Sequence, residues 1–279
     1  MKKKFFDYFL YLSIFIFSFG LFINFSTKNK DVNKDEMIVH FIDVGQGDSI
    51  LIQVNNYNLL IDSGSFEANK EIKTYLNNLN INKIDYLIAT HPHEDHIGNM
   101  SYIINNYDVI NFYSPKVTTT SNSFEKLIDA LQINNLKIKI LKANTSSINL
   151  GKYTTVEVLS PNLDYYENLN NYSPIIKISY KNTSFLFTGD AEELIEQEVL
   201  SKNYNLKSDI LKVGHHGSST STSTDFYEVV NPSISIISVG NNSYGHPTNK
   251  TLNQIKTSKV YRTDEDGDIV ITSDGNSFK

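Results

Sequence analysis

Three histidines and an aspartate are crowded into one short loop of this chain. The run Thr-His-Pro-His-Glu-Asp-His at residues 90–96 follows six residues that have the pattern of a short buried strand. Because side chains alternate along extended backbone, His91 and His93 should lie on one side, with Asp95 and His96 beyond the turn. Neutral imidazole and carboxylate groups are donors that zinc and similar divalent ions bind. The loop therefore predicts a metal site, since an ordinary polar surface loop rarely collects four candidate ligands.

Further candidate ligands follow downstream, each after a hydrophobic, strand-like run. Asp190 ends one such run, and His215 and His216 come after another. His246 stands in a Tyr-Gly-His-Pro turn, and of the 7 histidines in the chain only His40, in the first predicted strand, lies outside these clusters. Sheets of α/β proteins usually place their sites at the carboxyl ends of strands. These side chains are therefore predicted to converge, whereas His40 is expected to be structural.

The motifs and their order resemble those of metallo-β-lactamase-fold hydrolases, and in particular the ComEC-like, nuclease-type domain of competence proteins. The matching segments are Phe-Ile-Asp-Val-Gly-Gln-Gly-Asp-Ser (41–49), Leu-Ile-Asp-Ser-Gly (60–64), the histidine loop, Phe-Thr-Gly-Asp (187–190), Val-Gly-His-His-Gly-Ser (213–218) and Tyr-Gly-His-Pro (244–247). The resemblance implies a four-layer αββα sandwich. It extends over nearly all of residues 37–279.

Periodicity alone predicts an α/β or α+β domain over residues 37–279. Strand patterns begin at 37–43, 49–54 and 58–61 and continue to 268–271, while helical patterns cover 68–79, 123–131 and 191–200. In the 123–131 helix, Ser123 is the candidate N-cap. A hydrophobic content of 40% supports a packed core of this size.

The first residues predict a membrane segment. Three lysines precede an apolar stretch, residues 5–25, that approaches the roughly 20 residues needed to cross a bilayer. The basic flank predicts a cytoplasmic N-terminus, and no Ala-x-Ala-like cleavage site is evident. We therefore expect a signal anchor over 1–26, with a cleaved signal peptide as the alternative, followed by a linker over 27–36. The hydrolase domain would then lie outside the cytoplasmic membrane of a single-pass protein, or be secreted.

Charge limits the partners of the domain. The chain carries 25 basic and 31 acidic residues, and residues 1–30 contain five lysines against one aspartate, which leaves a balance of −10 for the rest. Such a domain should bind nucleic acid weakly, because phosphate affinity depends on cationic side chains. A metal-dependent phosphodiesterase with weak substrate binding remains compatible with this charge. The predicted partners are a phosphodiester or small-molecule substrate and the membrane, with no stable protein partner implied.

Two divalent ions, zinc or manganese, are the predicted cofactors. By the resemblance and the ligand order, the first ion is assigned to His91 and His93 and the second to Asp95, His96 and His215, with Asp190 as the bridge. The choice between His215 and His216 stays open, and Asp190 could instead cap the following helix. Many superfamily members carry a further histidine where this chain has residues 168–174, which contain none. The first site is therefore expected to be the weaker one.

Other polar residues are assigned supporting roles. Asp62 is expected to orient a metal-binding histidine, and Asp48 to support the site from its glycine-rich loop. Asp95, His216 and His246 are the predicted catalytic residues, with His246 as proton donor to the leaving group. The residues assigned to substrate binding are Gln46, Asn171, Ser173, Ser218 and Ser219.

The predicted activity is metal-dependent hydrolysis by a metal-bound hydroxide. The favoured substrate is a phosphodiester in DNA or a nucleotide. One alternative is a hydrolase of small esters, lactones or amides, and another is a noncatalytic surface protein with a degenerate site, since one fold supports many functions.

Overall fold

The computed structural model describes residues 35–279. The predicted anchor, and all but the last two residues of the predicted linker, lie outside this range. Within residues 35–279 there is no helix long and apolar enough to cross a membrane.

Strands and helices alternate along the described chain. The strands are β1 (Met37–Phe41), β2 (Ile50–Val54), β3 (Tyr57–Ile61), β4 (Lys83–Ile84), β5 (Tyr86–Ile88), β6 (Asp108–Val109), β7 (Phe112–Ser114), β8 (Ile138–Ile140), β9 (Thr154–Val158), β10 (Ile176–Tyr180), β11 (Thr183–Phe187), β12 (Ile210–Lys212), β13 (Ile234–Ile237), β14 (Lys259–Arg262) and β15 (Ile269–Ser273). The helices are α1 (Asn69–Asn78), α2 (Glu94–Ile97), α3 (Met100–Asn106), α4 (Asn122–Ile133), α5 (Glu193–Ser201), α6 (Thr224–Val230), α7 (Asn249–Ile255) and α8 (Thr263–Asp266). Short 3₁₀ turns occupy Phe66–Ala68, Leu169–Tyr172 and Gly214–Gly217.

Two large sheets share one pattern of strand directions. The first has the order β15-β1-β2-β3-β5-β7-β8, in which β1 to β3 are antiparallel and β3, β5, β7 and β8 are parallel. The second has the order β14-β13-β12-β11-β10-β9, with β9 to β11 antiparallel and β11 to β14 parallel. Parallel strands end at the same edge of a sheet, so the segments that follow β5, β11 and β12 can meet at one end of the molecule.

Three apolar clusters separate the four layers. The inner faces of the two sheets pack against each other, and the rings of Phe41 and Phe187 lie 6.2 Å apart between them. The outer face of the first sheet is covered by α1, α3 and α4. From α1, the buried side chains of Ile72 and Leu76 belong to this apolar cluster. The outer face of the second sheet is covered by α5, α6 and α7. This arrangement confirms the predicted αββα class.

Some element boundaries differ from the sequence prediction. The N-cap of α4 is Ser121, whose hydroxyl accepts a hydrogen bond from the Phe124 amide at 3.3 Å, whereas Ser123 had been assigned that role. Helix α5 begins at Glu193 after an N-cap at Glu192, so Asp190 is not the N-cap and its carboxylate is available for other contacts.

Candidate metal centre

The histidine loop leaves β5 and enters α2, so its side chains face one point from an extended segment and from a helix. His91 is buried, and its Nε2 lies 2.9 Å from Nδ1 of His93. Asp95 and His96 are in the first turn of α2, where His96 is fully buried and Oδ2 of Asp95 lies 3.8 Å from His96 Nε2. The structure therefore brings together the four side chains of the predicted loop.

Asp190 lies at the centre of the imidazoles. Its Oδ2 is 3.3 Å from Nε2 of His96, 3.4 Å from Nε2 of His216, 3.7 Å from Nε2 of His215 and 3.8 Å from Nε2 of His91. Its Oδ1 is buried and has no hydrogen-bond partner within residues 35–279. A carboxylate in this position can face two ions at once, which is the geometry expected of a bridging ligand.

The geometry favours His216, and not the predicted His215, as the partner of Asp95 and His96. Nε2 of His216 lies 3.4 Å from Asp95 Oδ2 and 3.3 Å from His96 Nε2, and the three side chains form one compact group. Nδ1 of His216 donates to the Ser238 carbonyl at 2.9 Å, which leaves Nε2 free to bind a cation. His215 is more exposed, with 21% of its side chain accessible against 2% for His216.

The backbone explains the different positions of these two histidines. His215 and His216 both have left-handed conformations, with φ of 49° and 52°. Consecutive non-glycine residues in this region are uncommon and carry strain, which the surrounding structure must offset. The turn directs the ring of His215 toward the open cleft and the ring of His216 toward the buried cluster. The order of the two residues in the motif does not reveal these directions.

Hydrogen bonds from buried side chains fix the ring orientations. Asp62 is fully buried and accepts hydrogen bonds from the Thr90 amide at 2.9 Å, the Thr90 hydroxyl at 2.7 Å and Nδ1 of His96 at 2.8 Å. The Thr90 hydroxyl in turn lies 3.1 Å from Nδ1 of His91. Both histidines therefore hold their Nδ1 atoms against the protein and direct Nε2 toward Asp190.

A buried lysine beneath the cluster was missed from the sequence. Lys212, in β12, is 1% exposed, and its Nζ lies 2.5 Å from Oδ2 of Asp48 and 3.3 Å from the carbonyl oxygen of Gly189. Oδ1 of Asp48 lies 3.6 Å from Nδ1 of His216, so the pair supports the cluster from the protein side. The available signal was a single cation inside the apolar run Ile-Leu-Lys-Val directly before the Gly-His-His-Gly motif.

The charges of the cluster fit a bound cation. Burial by itself would lower the pKa of His96, but Asp190, Asp95 and Asp62 outweigh it and raise that pKa well above its ordinary value. Burial also acts to lower the pKa of His216, and attraction mainly by Asp190 raises it to about 9. The carboxylates thus require positive charge beside them, and an ion held by imidazole and carboxylate donors would supply it. The donor groups within 4.8 Å of one another are His91, His96 and Asp190; Asp95, His96 and His216; and Asp48, Asp62 and His96.

An open cleft of about 1190 Å³ lies over the cluster. Residues predicted to be functional that line it are Gln46, His93, Asp95, Asp190, His215, His216 and His246. His246 is partly buried, and its ring centroid lies 5.4 Å from that of His215. Burial, with repulsion by His215 and His216, lowers the pKa of His246. The position of His246 is compatible with contact to a substrate in the cleft.

Several residues predicted to bind substrate do not line the cleft. Ser173 is fully buried, accepts a hydrogen bond from the Asp190 amide at 3.1 Å and lies 3.3 Å from Nδ1 of His91, so it supports the ligands themselves. Asn171 is buried and accepts from the Glu192 amide. Ser218 is also buried, and it and the exposed Ser219 lie outside the cleft lining.

Asn170 lines the cleft and was missed in the sequence analysis. Its Nδ2 lies 3.5 Å from Nε2 of His215. Asn170 belongs to the histidine-free segment 168–174, where the choice among neighbouring asparagines depends on the 3₁₀ turn that the segment adopts.

The four-layer fold and its histidine and aspartate centre define a class of protein, and the chain belongs to the metallo-beta-lactamase superfamily. The model of that family matches residues 42–240. Proteins of this superfamily are generally hydrolases and typically bind divalent metals. The family predicted from the sequence motifs is therefore confirmed.

The chain is homologous to competence proteins, as the resemblance predicted. ComE operon protein 3 of Bacillus subtilis is 32% identical over 252 residues, which cover 83% of this chain and 32% of that protein. Competence protein ComA of Neisseria gonorrhoeae is 27% identical over 249 residues, which cover 87% of this chain and 33% of that protein. Recombination protein 2 of Haemophilus influenzae is 31% identical over 216 residues, which cover 76% of this chain and 25% of that protein. The chain thus spans between a quarter and a third of the length of these relatives.

Crystal structures of distant proteins share the fold. The metallo-beta-lactamase fold protein YhfI of Bacillus subtilis superposes with a TM-score of 0.56 at 11% identity, over 85% of this chain and 99% of that one. CmlA, a diiron β-hydroxylase of Streptomyces venezuelae, gives a TM-score of 0.54 at 14% identity, over 84% of this chain and 53% of that one. At this identity the similarity concerns the fold alone.

Proposed function

We propose that this chain is a metal-dependent phosphodiesterase that cleaves DNA or nucleotides on the outer side of the cytoplasmic membrane. The position of Asp190 carries the proposal, because its Oδ2 lies within 3.8 Å of four imidazole nitrogens. Homology to competence proteins and to recombination protein 2 supports a nucleic-acid substrate over a lactone or amide.

The residues divide into two ligand groups that share Asp190. His91 and His93 would hold one ion with Asp190, and Asp95, His96 and His216 would hold the other. When bound, the ions would supply activation of water and stabilisation of negative charge on the phosphoryl oxygens.

The protein itself fixes protons and orientations at this centre. Asp62 and the Ser238 carbonyl accept the Nδ1 protons of His96 and His216, which directs the opposite nitrogens toward Asp190, where a bound ion would take the place of the second proton. His246 lies at the cleft wall, where it would transfer a proton to the leaving oxygen.

The test is turnover by the purified full chain after metal removal and stepwise addition of manganese or zinc. The substrates are bis(p-nitrophenyl) phosphate, an oligothymidylate and a simple lactone. Metal-dependent cleavage of the phosphodiesters is expected, with loss of most activity in Asp190→Asn and none in the exposed control Asp164→Asn. Cleavage of the lactone alone would replace the proposal by a small-molecule hydrolase, and no metal-dependent turnover would indicate a noncatalytic protein.

We also propose that residues 1–26 anchor the chain and place the catalytic domain outside the cytoplasm. The support is the basic flank followed by the apolar stretch of residues 5–25. Protease added to intact cells should digest the domain while it is still membrane-associated. Protection that is lost only on cell lysis would contradict this orientation.

A further inference from the structure

We infer that, beyond the one phosphate at the metal centre, the cleft recognises its substrate through nucleobases, with Phe66 and Tyr244 as the surfaces on which bases stack. The inference rests on the proposed phosphodiesterase function. It concerns residues to which neither the sequence motifs nor the metal centre assign a role.

Both aromatic rings are exposed and line the same cleft. Phe66 is 61% exposed and follows the first sheet's strand β3, and Nζ of Lys126 lies over its ring, 5.1 Å from the centroid. Tyr244 is 73% exposed and follows β13 of the second sheet. The cleft is thus bordered by one large ring from each half of the sandwich. The Tyr244 ring lies 5.7 Å from that of His246 at an angle of 30°, which places it next to the predicted proton donor.

The charge of the cleft lining gives little attraction to phosphates that lie outside the metal centre. Among residues 35–279, no lysine or arginine lines this cleft, whereas Asp43, Glu67, Glu71 and Glu94 do. Affinity for a nucleic-acid backbone depends on cationic side chains that neutralise phosphates and release counterions. Because these are missing from the lining, a long polyanion gains little from its phosphates here.

Bases offer an uncharged alternative. Every base has a π-face, and stacking on an aromatic side chain contributes roughly 5- to 150-fold in affinity per base, largely without regard to sequence. Bases inside a duplex already stack on one another, so only single strands, strand ends and free nucleotides can use the two rings. The substrate class that fits the cleft is therefore a single-stranded or short nucleotide phosphodiester.

Binding is tested without turnover by fluorescence anisotropy in the presence of EDTA. The probes are a short labelled oligothymidylate and an abasic strand with the same number of phosphates. The full chain should bind the thymidylate more tightly than the abasic strand. A plot of the logarithm of the binding constant against the logarithm of the salt concentration should have a slope shallower than about −1. Tyr244→Ala and Phe66→Ala should each weaken thymidylate binding by roughly tenfold and leave abasic binding unchanged.

Two variants separate stacking from structural damage. Tyr244→Phe keeps the ring and should bind thymidylate like the wild type. Tyr153→Ala removes an exposed tyrosine just before β9, at the end of the sheet opposite the cleft, and should change nothing. Equal binding of both probes by the wild type, or equal losses on both probes in the alanine variants, would overturn the inference.

Turnover with added manganese distinguishes failure of the inference from failure of the proposed function. The alanine variants should raise KM for the thymidylate by roughly tenfold, with kcat changed by less than about twofold. If neither strand is cleaved while binding still depends on the two rings, the phosphodiesterase proposal fails and base recognition stands.

Discussion

Replacing Lys212 by Met should destabilise the domain by about 3–5 kcal/mol, because the change leaves the carboxylate of Asp48 buried without its cation. Both side chains are 1% exposed, so water cannot take over the lost interaction. Nζ of Lys212 lies 2.5 Å from Oδ2 of Asp48, and it also donates to the Gly189 carbonyl at 3.3 Å. Met fills a similar volume and retains the apolar contacts of the lysine stem, which confines the effect to the charge.

Urea unfolding, followed by circular dichroism with and without chelator, measures this loss. With an m-value of about 3 kcal/mol per M, the midpoint should fall by roughly 1–2 M. The exposed control Lys207→Met should stay within about 0.5 kcal/mol of the wild type. Adding Asp48→Asn to Lys212→Met removes the unpaired charge and should recover part of the stability. A single-variant loss below about 1 kcal/mol, or full additivity in the double variant, would refute the reasoning.

Three further predictions concern histidines. After extensive dialysis, elemental analysis should find closer to one metal ion than two per chain. His216→Ala should lose that ion and His215→Ala should keep it. The reverse pattern would make His215 the ligand, as first assigned from the sequence. His246→Ala should lower the rate of phosphodiester cleavage roughly 10²–10⁴-fold and leave the metal content unchanged. The loss should be smaller on a substrate with a nitrophenyl leaving group, which needs little protonation. Equal losses on substrates with good and poor leaving groups would exclude proton donation by His246. Burial lowers the pKa of His40 to about 4, against 6.5 in the unfolded chain, so the unfolded chain binds more protons between these two values. Stability should therefore decrease as the pH falls from 6.5 to 4, by about 3 kcal/mol at most. His40→Gln should show a flatter stability profile over this pH range in urea titrations, and an unchanged slope would contradict the lowered pKa of His40.

The histidine loop and the succession of strands and helices could be predicted from local patterns, whereas the four-layer αββα order was implied by the resemblance to metallo-β-lactamase-fold proteins. The strand pattern at residues 37–43 predicted β1, which the structure places at Met37–Phe41. The spacing of the histidine loop likewise fixed which side chains share a face. The prediction of Asp190 as a ligand depends on its position just beyond the hydrophobic strand β11, where sites of α/β sheets lie.

Other features depend on contacts that local patterns do not contain. The positions of the His215 and His216 rings are decided by two consecutive left-handed backbone conformations, which are uncommon for non-glycine residues and which the residue types alone do not predict. The Lys212 pair joins strand β12 to a loop of the other sheet, and no spacing rule connects the two positions. In the same way, the cap of α4 moved by two residues, since Ser121 and Ser123 are chemically equivalent candidates.

The proposed metal ligands come from both halves of the sandwich. His91, Asp95 and His96 follow a strand of the first sheet, whereas Asp190 and His216 follow strands of the second. A cation held by this set binds only when the two sheets are docked, so its binding free energy adds to their association, by about 2.7 kcal/mol at a concentration one hundred times Kd. Two fragments produced by a break in the segment between β8 and β9, the second of which also carries β15 of the first sheet, should therefore reassemble more tightly as metal is added. The same linkage would make the folded lifetime of the domain depend on the metal supply around it.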